Sequence, residues 1–342
     1  MAVAEMKNKD HLLVRAARGE AIERVPVWAM RQAGRWDPEF HKIRSGLGFY
    51  DFSENVELAA KASILPVRFG VDAVILFYDI TTLPVSMGLP FSLQPNIGPV
   101  PASPVRTLEA VLKLNPYPQP ETYSHVTRML TQVQKTLDKP MPILAFAGAP
   151  FTVATYCIGT GKDINATRKF IQEQPIIWHE LLERLTSATI GFLKTMIAHG
   201  ACAYQLFDSW AGMLTEKEYE QWAQPFHRRI LAGATGAPRI LFVKECPYLH
   251  KQVETGADII SLGKRNDLKE ARDRYPHLVF QGNVDENILR TGTPAEVKIA
   301  VEECLRKGGG TRHILNLNHG VDRTTPVANF ETFVKTAHEF KG

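Results

Sequence analysis

Short apolar segments alternate with helical patterns from one end of the chain to the other. Most of these segments are continuous apolar runs, which is typical of parallel strands that are covered on both faces. Eight such segments predict strands, and they are Val25–Met30, Ala73–Phe77, Pro142–Gly148, Ala203–Asp208, Arg239–Lys244, Asp258–Gly263, Leu278–Asn283 and His313–Asn318.

The segments between these strands have helical periodicity and recognisable helix ends. Thr293, Pro294 and Glu296 predict one helix start, because they supply a hydroxyl cap, a proline in the first turn and a carboxylate at the third position. Cys304 lies on the apolar face of that helix, as a buried thiol would, and the glycines at 308–310 end it.

Eight βα units in one chain indicate a closed barrel more than an open doubly wound sheet. No GxGxxG motif follows the first predicted strand, which weakens the dinucleotide-binding alternative. No stretch resembles a linker between domains. We therefore predict an α/β fold, a single-domain (β/α)8 TIM barrel of parallel strands that spans residues 1–342.

Two segments fall outside the repeating pattern. Residues 1–20 have neither a long apolar core nor a cleavage-site pattern, so they predict a short amphipathic helix and no signal peptide. Leu83–Val105 is rich in proline and predicts a long loop or a hairpin inserted after the second strand. Such an insertion at a barrel mouth could be a lid or a structural decoration.

Composition narrows the class of protein. A hydrophobic content of 44% and a charged content of 22% are globular values, and no stretch approaches the ~18 apolar residues of a membrane helix. The four cysteines lie far apart without a CxxC pair, which favours a reduced, cytoplasmic protein. The net charge of +4 is mild, so nucleic-acid binding has little support, and a slightly basic surface suits an acidic metabolite.

Barrel enzymes place their chemistry at the carboxyl ends of the strands. The polar residues that follow the predicted strands are Arg31, Arg35, Asp79, Thr152, Thr155, Tyr156, Asp208, Ser209, Lys244, Asn318 and His319. Several cations in aromatic and apolar company predict a large, partly hydrophobic ligand that carries negative charge. Neither HExxH nor HxC occurs, and no GxSxG nucleophile elbow is present.

Each of these residues also has a structural alternative. Arg31 and Arg35 could be surface residues one helical turn apart, although their position directly after a buried strand favours function. Asp79 could cap the next element. Ordinary packing or turn roles are also open for the remaining side chains, which are Tyr156, Ser209 and His319.

Taken together, the motifs resemble those of the uroporphyrinogen decarboxylase family of haem and chlorophyll biosynthesis. The most specific match is Met30–Arg35 (MRQAGR), which continues to Arg44. Supporting matches follow in the expected order, and they are DAVILFYD at 72–79, FAGAP at 146–150, QLFDS at 205–209, QGN at 281–283 and NLNHG at 316–320. The likeness extends from about Lys7 to Phe340.

The resemblance implies a single-domain barrel, usually a homodimer, that works without a metal or an organic cofactor. It also implies a reaction, the removal of carboxyl groups from the four acetate side chains of uroporphyrinogen to give coproporphyrinogen. The implied substrate contacts are Arg31, the Ala33 backbone, Arg35, Arg44, Asp79, Tyr156, Ser209 and His319. Among them, Asp79, Arg31 and Tyr156 are the catalytic candidates.

The implied chemistry suits these residue types. Loss of carbon dioxide leaves an electron pair that needs a sink, and a protonated pyrrole supplies one. A carboxylate among the pyrrole N–H groups, the role expected of Asp79, would hold the macrocycle and stabilise the developing cation. Arg31 and Arg35 would bind substrate carboxylates in a bidentate manner, and one of them would position the departing carboxylate or transfer a proton.

The sequence departs from the family pattern at several strand ends, namely at Trp36-Asp37, Glu245-Cys246-Pro247, Gly263-Lys264 and Asn318. Two other functions therefore stay open. One is a non-catalytic relative that binds tetrapyrroles. The other is a barrel methyltransferase that acts on corrinoid or thiol substrates, a class that commonly has a zinc site with the HxC motif that this sequence lacks.

Overall fold

The computed structural model describes residues 10–94 and 97–341. Within these residues the strands are β1 (Val74–Ile75), β2 (Phe91–Gln94), β3 (Gly98–Pro101), β4 (Ile143–Gly148), β5 (Ala203–Asp208), β6 (Arg239–Val243), β7 (Ile259–Ser261), β8 (Val279–Gln281) and β9 (His313–Ile314). The α-helices are α1 (Leu12–Ala17), α2 (Pro38–Arg44), α3 (Phe49–Glu54), α4 (Val56–Ile64), α5 (Thr82–Ser86), α6 (Leu108–Leu112), α7 (Ser124–Thr136), α8 (Pro150–Cys157), α9 (Ile164–Glu173), α10 (Pro175–Ala198), α11 (Glu216–Trp222), α12 (Gln224–Gly233), α13 (Leu249–Val253), α14 (Leu268–Arg274), α15 (Glu286–Thr291), α16 (Pro294–Gly308) and α17 (Val327–Glu339). Short 3-10 helices span Leu65–Phe69, Pro120–Tyr123 and Ala211–Met213.

A parallel sheet of seven strands organises the chain, in the order β1-β4-β5-β6-β7-β8-β9. Every neighbouring pair in it is parallel, as in the register that sets Val74 opposite Ile143 and Ile240 opposite Ile259. The strands are almost entirely buried, because helices connect and cover them. The structure thus confirms an α/β fold with a parallel sheet, and seven of the eight predicted strands are regular strands, most with shorter bounds.

The first predicted strand, Val25–Met30, needs correction. It forms one isolated bridge, between Val27 and Leu315, instead of a regular ladder. Pro26 has no N–H to donate, although its carbonyl accepts the Leu315 N–H at 2.8 Å. On the other edge the Asp72 side chain accepts the Val27 N–H at 2.7 Å, where a strand would offer a main-chain carbonyl.

Asp72 also binds Arg24, with both carboxylate oxygens 2.7 Å from the guanidinium nitrogens. The two side chains are largely buried, at 13% and 24% exposure. We expect Asp72→Ala to lower the free energy of unfolding by about 2–3 kcal/mol, because a buried cation and a backbone N–H both lose their partner. Urea unfolding measures this, with Asp138→Ala at an exposed site as the control. A loss no larger than that of the control would contradict the role of Asp72.

The proline-rich insertion confirms the hairpin expectation. After α5, the strands β2 and β3 pair antiparallel, with Phe91 opposite Pro101 and Gln94 opposite Gly98. Residues 95 and 96 lie outside the described part of the chain. The hairpin places Ile97, next to its turn, at the carboxyl ends of the sheet strands, where it borders the cavity described below.

The helix ends follow the sequence signals. The Thr293 side chain accepts the Glu296 N–H and the Glu296 carboxylate accepts the Thr293 N–H, so both halves of the capping box form at the start of α16. That helix ends at Gly309, whose φ of +67° is left-handed, and Cys304 is buried on its inner face. The four cysteines are free thiols. No helix in residues 10–94 and 97–341 is long and apolar enough to cross a membrane.

Candidate active site

A cavity of about 230 Å³ lies at the carboxyl ends of the sheet strands. Its lining side chains come from the turn after residues 25–30, from α8 and the turn after it, and from the hairpin of β2 and β3. Others follow the strands β5, β6 and β9. They are Arg31, Ile97, Tyr156, Lys162, Ser209, Trp210, Lys244 and His319. Four of the residues predicted from the sequence for substrate binding, namely Arg31, Tyr156, Ser209 and His319, therefore share one cavity.

A second cavity, of about 520 Å³, lies at the opposite edge of the sheet. Its lining includes Pro238, Asp258, Leu278 and Arg312, which directly precede the strands β6 to β9. It is larger, but none of the predicted substrate contacts borders it. Because ligand sites in such folds lie at the carboxyl ends of the strands, we take the smaller cavity as the candidate site.

Gln32, which is fully buried, holds the turn that carries Arg31. Its side-chain oxygen accepts the Ala29 N–H at 3.0 Å, and its amide donates to the Ala73 carbonyl at 2.9 Å. Trp36 donates its indole N–H to the Gln32 carbonyl at 3.1 Å. Gln32 in MRQAGR therefore holds the turn, while the side chains of Arg31 and Arg35 are exposed to solvent.

Arg31 has a left-handed backbone conformation, with φ of +60°. Its side chain crosses Gly320, where a Cβ atom would collide with the arginine Cδ. The side chain is open to solvent, but it lies in a concave cleft where protein replaces much of the surrounding water. This burial lowers the pKa of Arg31, which the charges of Asp79 and Asp322 oppose. An arginine remains protonated at neutral pH nonetheless, so Arg31 is a fixed cation.

Asp79 is half-buried and is not among the residues that line the cavity, but its charge interacts with that of Arg31. Its Oδ1 accepts two hydrogen bonds from Thr81, from the backbone N–H at 2.8 Å and from the hydroxyl at 2.5 Å. The structural alternative raised by the sequence is therefore real, since Asp79 does stabilise the turn before α5. Burial raises the pKa of this carboxyl, while the bonds from Thr81 and the charge of Arg31 lower it.

Tyr156 and Trp210 form one wall of the cavity, with ring centroids 6.5 Å apart. Burial raises the pKa of the Tyr156 hydroxyl, which therefore stays protonated and able to donate a hydrogen bond. Ser209 adds a second hydroxyl directly before Trp210. This wall offers neutral donors beside the cation of Arg31.

His319 stands near two cations, Arg31 and Lys244. Burial, reinforced by the charges of these two neighbours, lowers the pKa of His319 to about 3. The imidazole is therefore neutral at physiological pH, and it presents one donor and one acceptor to a ligand.

This pKa predicts an acid-sensitive stability. In the unfolded chain the histidine binds a proton below about pH 6.5, whereas in the folded protein it stays neutral down to about pH 3. The unfolded state therefore binds more protons as the pH falls from 6.5 towards 3, and the free energy of unfolding decreases over that range. His319→Gln should reduce the loss of stability between pH 7 and pH 5, measured by urea unfolding. His313, whose pKa burial lowers to about 4, acts in the same direction and should keep part of the effect. An unchanged pH dependence, equal to that of the exposed-site control His179→Gln, would count against the assignment.

Four of the predicted contacts lie outside the lining of this cavity, namely Asp79, Ala33, Arg35 and Arg44. Ala33 is buried in the turn, Arg35 is exposed, and Arg44 is half-buried. The Arg44 side chain donates to the Leu47 carbonyl at 2.8 Å. The structure therefore separates Arg31, which enters the cavity, from the other two arginines, which lie at the rim or beyond it.

Sequence reasoning did not place Ile97, Lys162 and Trp210 at the site. Lys162 follows two glycines of left-handed conformation, Gly159 and Gly161, in the turn after α8. That glycine pair is the signal that could have indicated a tight turn over the carboxyl ends of the strands. Trp210 directly follows Ser209, a predicted substrate contact, and this position in the sequence could have indicated that it borders the site.

The departures from the family pattern are spatially connected. The Lys264 N–H donates to Glu245 Oε1 at 3.1 Å, and the Lys264 ammonium lies 2.9 Å from Asp285 Oδ2. Asn318 Oδ1 accepts the Glu286 N–H at 3.1 Å. The departures after β6, β7 and β9 thus lie in one connected group of polar residues, since Asn318 also contacts Asp285.

The departure at Trp36-Asp37 has a packing role. Trp36 packs against Phe330 with tilted rings whose centroids are 4.4 Å apart, and both are almost fully buried. Asp37 accepts a hydrogen bond from Arg68 at 2.7 Å and caps α2 through the Glu39 N–H. This pair therefore supports the arginine turn from outside the cavity.

Comparisons with known proteins show which family this chain is similar to. The family described as uroporphyrinogen decarboxylase (URO-D) matches residues 8–340. The uroporphyrinogen decarboxylase of Synechococcus sp. (strain CC9605) is 36% identical over 340 residues, which covers 96% of each chain. The uroporphyrinogen decarboxylase of Prochlorococcus marinus (strain MIT 9313) is 36% identical over 97% of each chain.

A solved structure, that of a methyltransferase from Methanosarcina mazei, has a TM-score of 0.78 at 19% identity and covers 96% of this chain and 97% of its own. At that identity the likeness concerns the fold alone. The family match and the relatives, in contrast, extend along nearly the whole sequence. The chain belongs to the uroporphyrinogen decarboxylase family.

Proposed function

We propose that this protein removes carbon dioxide from the four acetate side chains of uroporphyrinogen, without a cofactor, and releases coproporphyrinogen. Beside the family membership, one observation carries the proposal. Arg31, Tyr156, Ser209 and His319 converge on one cavity at the carboxyl ends of the strands, and the charge of Asp79 interacts with that of Arg31. A fixed cation, neutral donors and a half-buried carboxylate are the groups that this substrate requires.

The charges around the cavity suit a substrate with eight carboxylates. Arg31, Lys162 and Lys244 line it, and no carboxylate is among its lining residues in the described part of the chain. The cavity is smaller than the roughly 300–1,000 Å³ of typical ligand sites, so part of the macrocycle would extend past it. We assign Arg35, Arg44 and the Ala33 backbone to that outer part of the substrate.

Asp79 is the proposed electrostatic centre. Thr81 holds Oδ1 with two hydrogen bonds, so the carboxyl group has a fixed direction from which Oδ2 can accept pyrrole N–H donors. Its partial burial strengthens any interaction with a cation that forms nearby. An ionised Asp79 therefore stabilises the protonated pyrrole more than the neutral one, which is the condition for catalysis.

The bond changes follow from this placement. A proton adds to a pyrrole carbon, and the ring becomes cationic. The bond between the acetate methylene and its carboxylate then breaks, carbon dioxide leaves, and the electron pair neutralises the ring. A second proton reaches the exocyclic carbon to complete the methyl group while the ring proton departs. Arg31 is placed to hold the carboxylate that leaves, and Tyr156 to donate a hydrogen bond to the reacting side chain.

One centre can serve all four rings if the substrate rotates between rounds. The charges of Asp79 and Arg31 interact, so each acetate would meet the same pair in turn. The neutral His319 and Ser209 would bind side chains of the pyrrole rings that do not react in that round.

Four features of the whole protein belong to the same proposal. The sheet would close as an eight-stranded barrel, with residues 25–30 between β9 and β1. The Val27–Leu315 bridge supports this closure on one edge, and the Asp72–Val27 bonds support it on the other. The chain would form a single domain, since one buried apolar cluster joins residues from Leu13 to Ala337. The protein would form a homodimer, which sedimentation can measure. It would be located in the cytoplasm, which its four free thiols support.

The direct test is an anaerobic assay with freshly reduced uroporphyrinogen. We expect carbon dioxide release and coproporphyrinogen, detected by chromatography after oxidation to the porphyrins. A protein that binds the macrocycle without releasing carbon dioxide would instead be a tetrapyrrole-binding relative, the alternative that the altered strand ends raise. Zinc in stoichiometric amount together with no decarboxylation would favour the methyltransferase alternative.

A further inference from the structure

A fully buried polar network lies directly behind the wall of Tyr156 and Trp210. Asp208, the last residue of β5, accepts a hydrogen bond from His227 of α12, with Nε2 and Oδ2 2.8 Å apart. The other ring nitrogen of His227 lies 3.2 Å from the hydroxyl of Tyr219 in α11. Asp208, His227 and Tyr219 are all 0% exposed. None of the three lines the cavity.

The second oxygen of Asp208 connects this network to α8 and to the loop after β5. Oδ1 accepts the Thr152 hydroxyl at 2.6 Å and the Ala211 N–H at 3.0 Å. The Thr152 oxygen in turn accepts the Trp210 N–H at 3.1 Å. The Thr152 hydroxyl, the Ala211 N–H and His227 all donate to Asp208, so both carboxylate oxygens act as acceptors.

The network reaches the cavity through three residues. Tyr156 lies one helical turn after Thr152 on α8, so the bond between Thr152 and Asp208 fixes the rotation of that helix. Ser209 and Trp210 lie between the two anchored points of their loop, Asp208 and Ala211. A buried network whose members are all satisfied rigidifies its surroundings, and here the surroundings are the donor wall of the cavity.

We propose that His227 is a positioning residue for the reaction, which acts through Asp208 and Thr152 on Tyr156, Ser209 and Trp210. This inference rests on the proposed function. His227 holds the carboxylate of Asp208 in the orientation that both Thr152 and Ala211 use. Without it, a buried carboxylate loses one of its donors and the wall can relax, and a displacement of about 1 Å at a reacting group can cost on the order of a hundredfold in rate.

The test compares His227→Leu, His227→Gln and Thr152→Val in the decarboxylation assay. We expect His227→Leu and Thr152→Val to lower kcat about tenfold or more, with a much smaller change in KM, because Arg31 is held by a separate turn. The glutamine amide can donate to Asp208 from the place of Nε2, so His227→Gln should recover most of kcat. Thr155→Val is the matched control, since Thr155 is equally buried in α8 but, within residues 10–94 and 97–341, its hydroxyl bonds only to the Thr152 carbonyl.

A double-mutant cycle separates positioning from general support of the fold. If His227 acts through Tyr156, the loss caused by His227→Leu should be clearly smaller in a Tyr156→Phe background than in the wild type. Independent, multiplicative losses would overturn the proposal. So would a wild-type kcat in both His227→Leu and Thr152→Val, or a loss in Thr155→Val as large as that in Thr152→Val.

Two further arms keep the outcome interpretable. Should His227→Leu not fold, Thr152→Val in the same cycle with Tyr156→Phe decides the question. Wild-type turnover in the same assay reports on the proposed function by itself. If the wild type does not decarboxylate, binding of coproporphyrin, followed by its absorbance, replaces kcat in the cycle. Additive effects on binding would then reject the positioning role independently of the reaction.

Discussion

Asp79→Asn is expected to lower kcat about 10²–10³-fold, the loss typical of removing one preorganised electrostatic group. The asparagine keeps the size of the side chain and an oxygen that can accept both bonds from Thr81, so the turn before α5 should remain. It removes the negative charge that stabilises a protonated pyrrole. Anaerobic turnover of uroporphyrinogen, with the acetate-retaining intermediates resolved by chromatography, measures the effect. Asp79→Ala and Asp79→Gly should lose activity at least as completely.

The same variant separates the catalytic role of Asp79 from its capping role. If Asp79 only holds the turn, asparagine is an adequate replacement and both stability and turnover stay near wild type. If the charge matters, turnover falls while the unfolding midpoint holds, because burial already disfavours the charged form of this carboxyl. Undiminished activity in Asp79→Asn would end the proposed role.

Arg31→Gly is expected to change stability and activity in opposite directions. The φ of +60° at residue 31 is unfavourable for any side chain with a Cβ, so glycine should raise the free energy of unfolding by about 1 kcal/mol. The loss of the guanidinium should lower kcat/KM about a hundredfold or more, since a bidentate contact to the substrate carboxylate is removed from a partly desolvated site. Urea unfolding and steady-state kinetics measure the two effects on the same preparation.

Two controls accompany Arg31→Gly. Lys139→Ala removes one positive charge from an exposed position ahead of β4, at the other edge of the sheet, and should leave kcat/KM unchanged. Arg31→Lys retains the charge but cannot form the bidentate contact, so an intermediate activity is expected. Activity in Arg31→Gly equal to that of Lys139→Ala would show that the arginine is an ordinary surface residue, the alternative that the sequence left open.

The fold was largely predictable because continuous apolar runs identify buried parallel strands. Seven of the predicted strands are regular in the structure, and the helix that begins at Thr293 has both bonds of its capping box. The segment at 25–30 has the same apolar pattern, so periodicity could not distinguish it. What decides it is Pro26 together with a carboxylate that is distant in sequence, Asp72, which takes the place of a main-chain acceptor. Contacts of that kind are not visible in local patterns.

The site was predictable to the extent that strand ends determine position. Arg31, Tyr156, Ser209 and His319 meet because each follows a predicted strand, either directly or within the next helix. Ile97 and Lys162 come from segments whose path depends on a hairpin and on a glycine turn, and sequence reasoning gave no direction for either. The network around His227 was also beyond reach, since a histidine inside a helical pattern carries no signal until the structure shows Asp208 beside it.

The contact between Arg31 and Gly320 joins the two ends of the chain. The turn that bears Arg31 is held by Gln32, but two further contacts, the bridge from Val27 to Leu315 and the packing of Arg31 on Gly320, can form only after the last strand has been synthesised. Contacts between residues so far apart in sequence carry a large loop-closure cost and tend to form late in folding. During translation Asp79 and Tyr156 can therefore take up their positions before the Arg31 side chain can pack on Gly320. Binding competence is acquired in a final step, and a chain that ends before Gly320 lacks the surface on which its principal arginine lies.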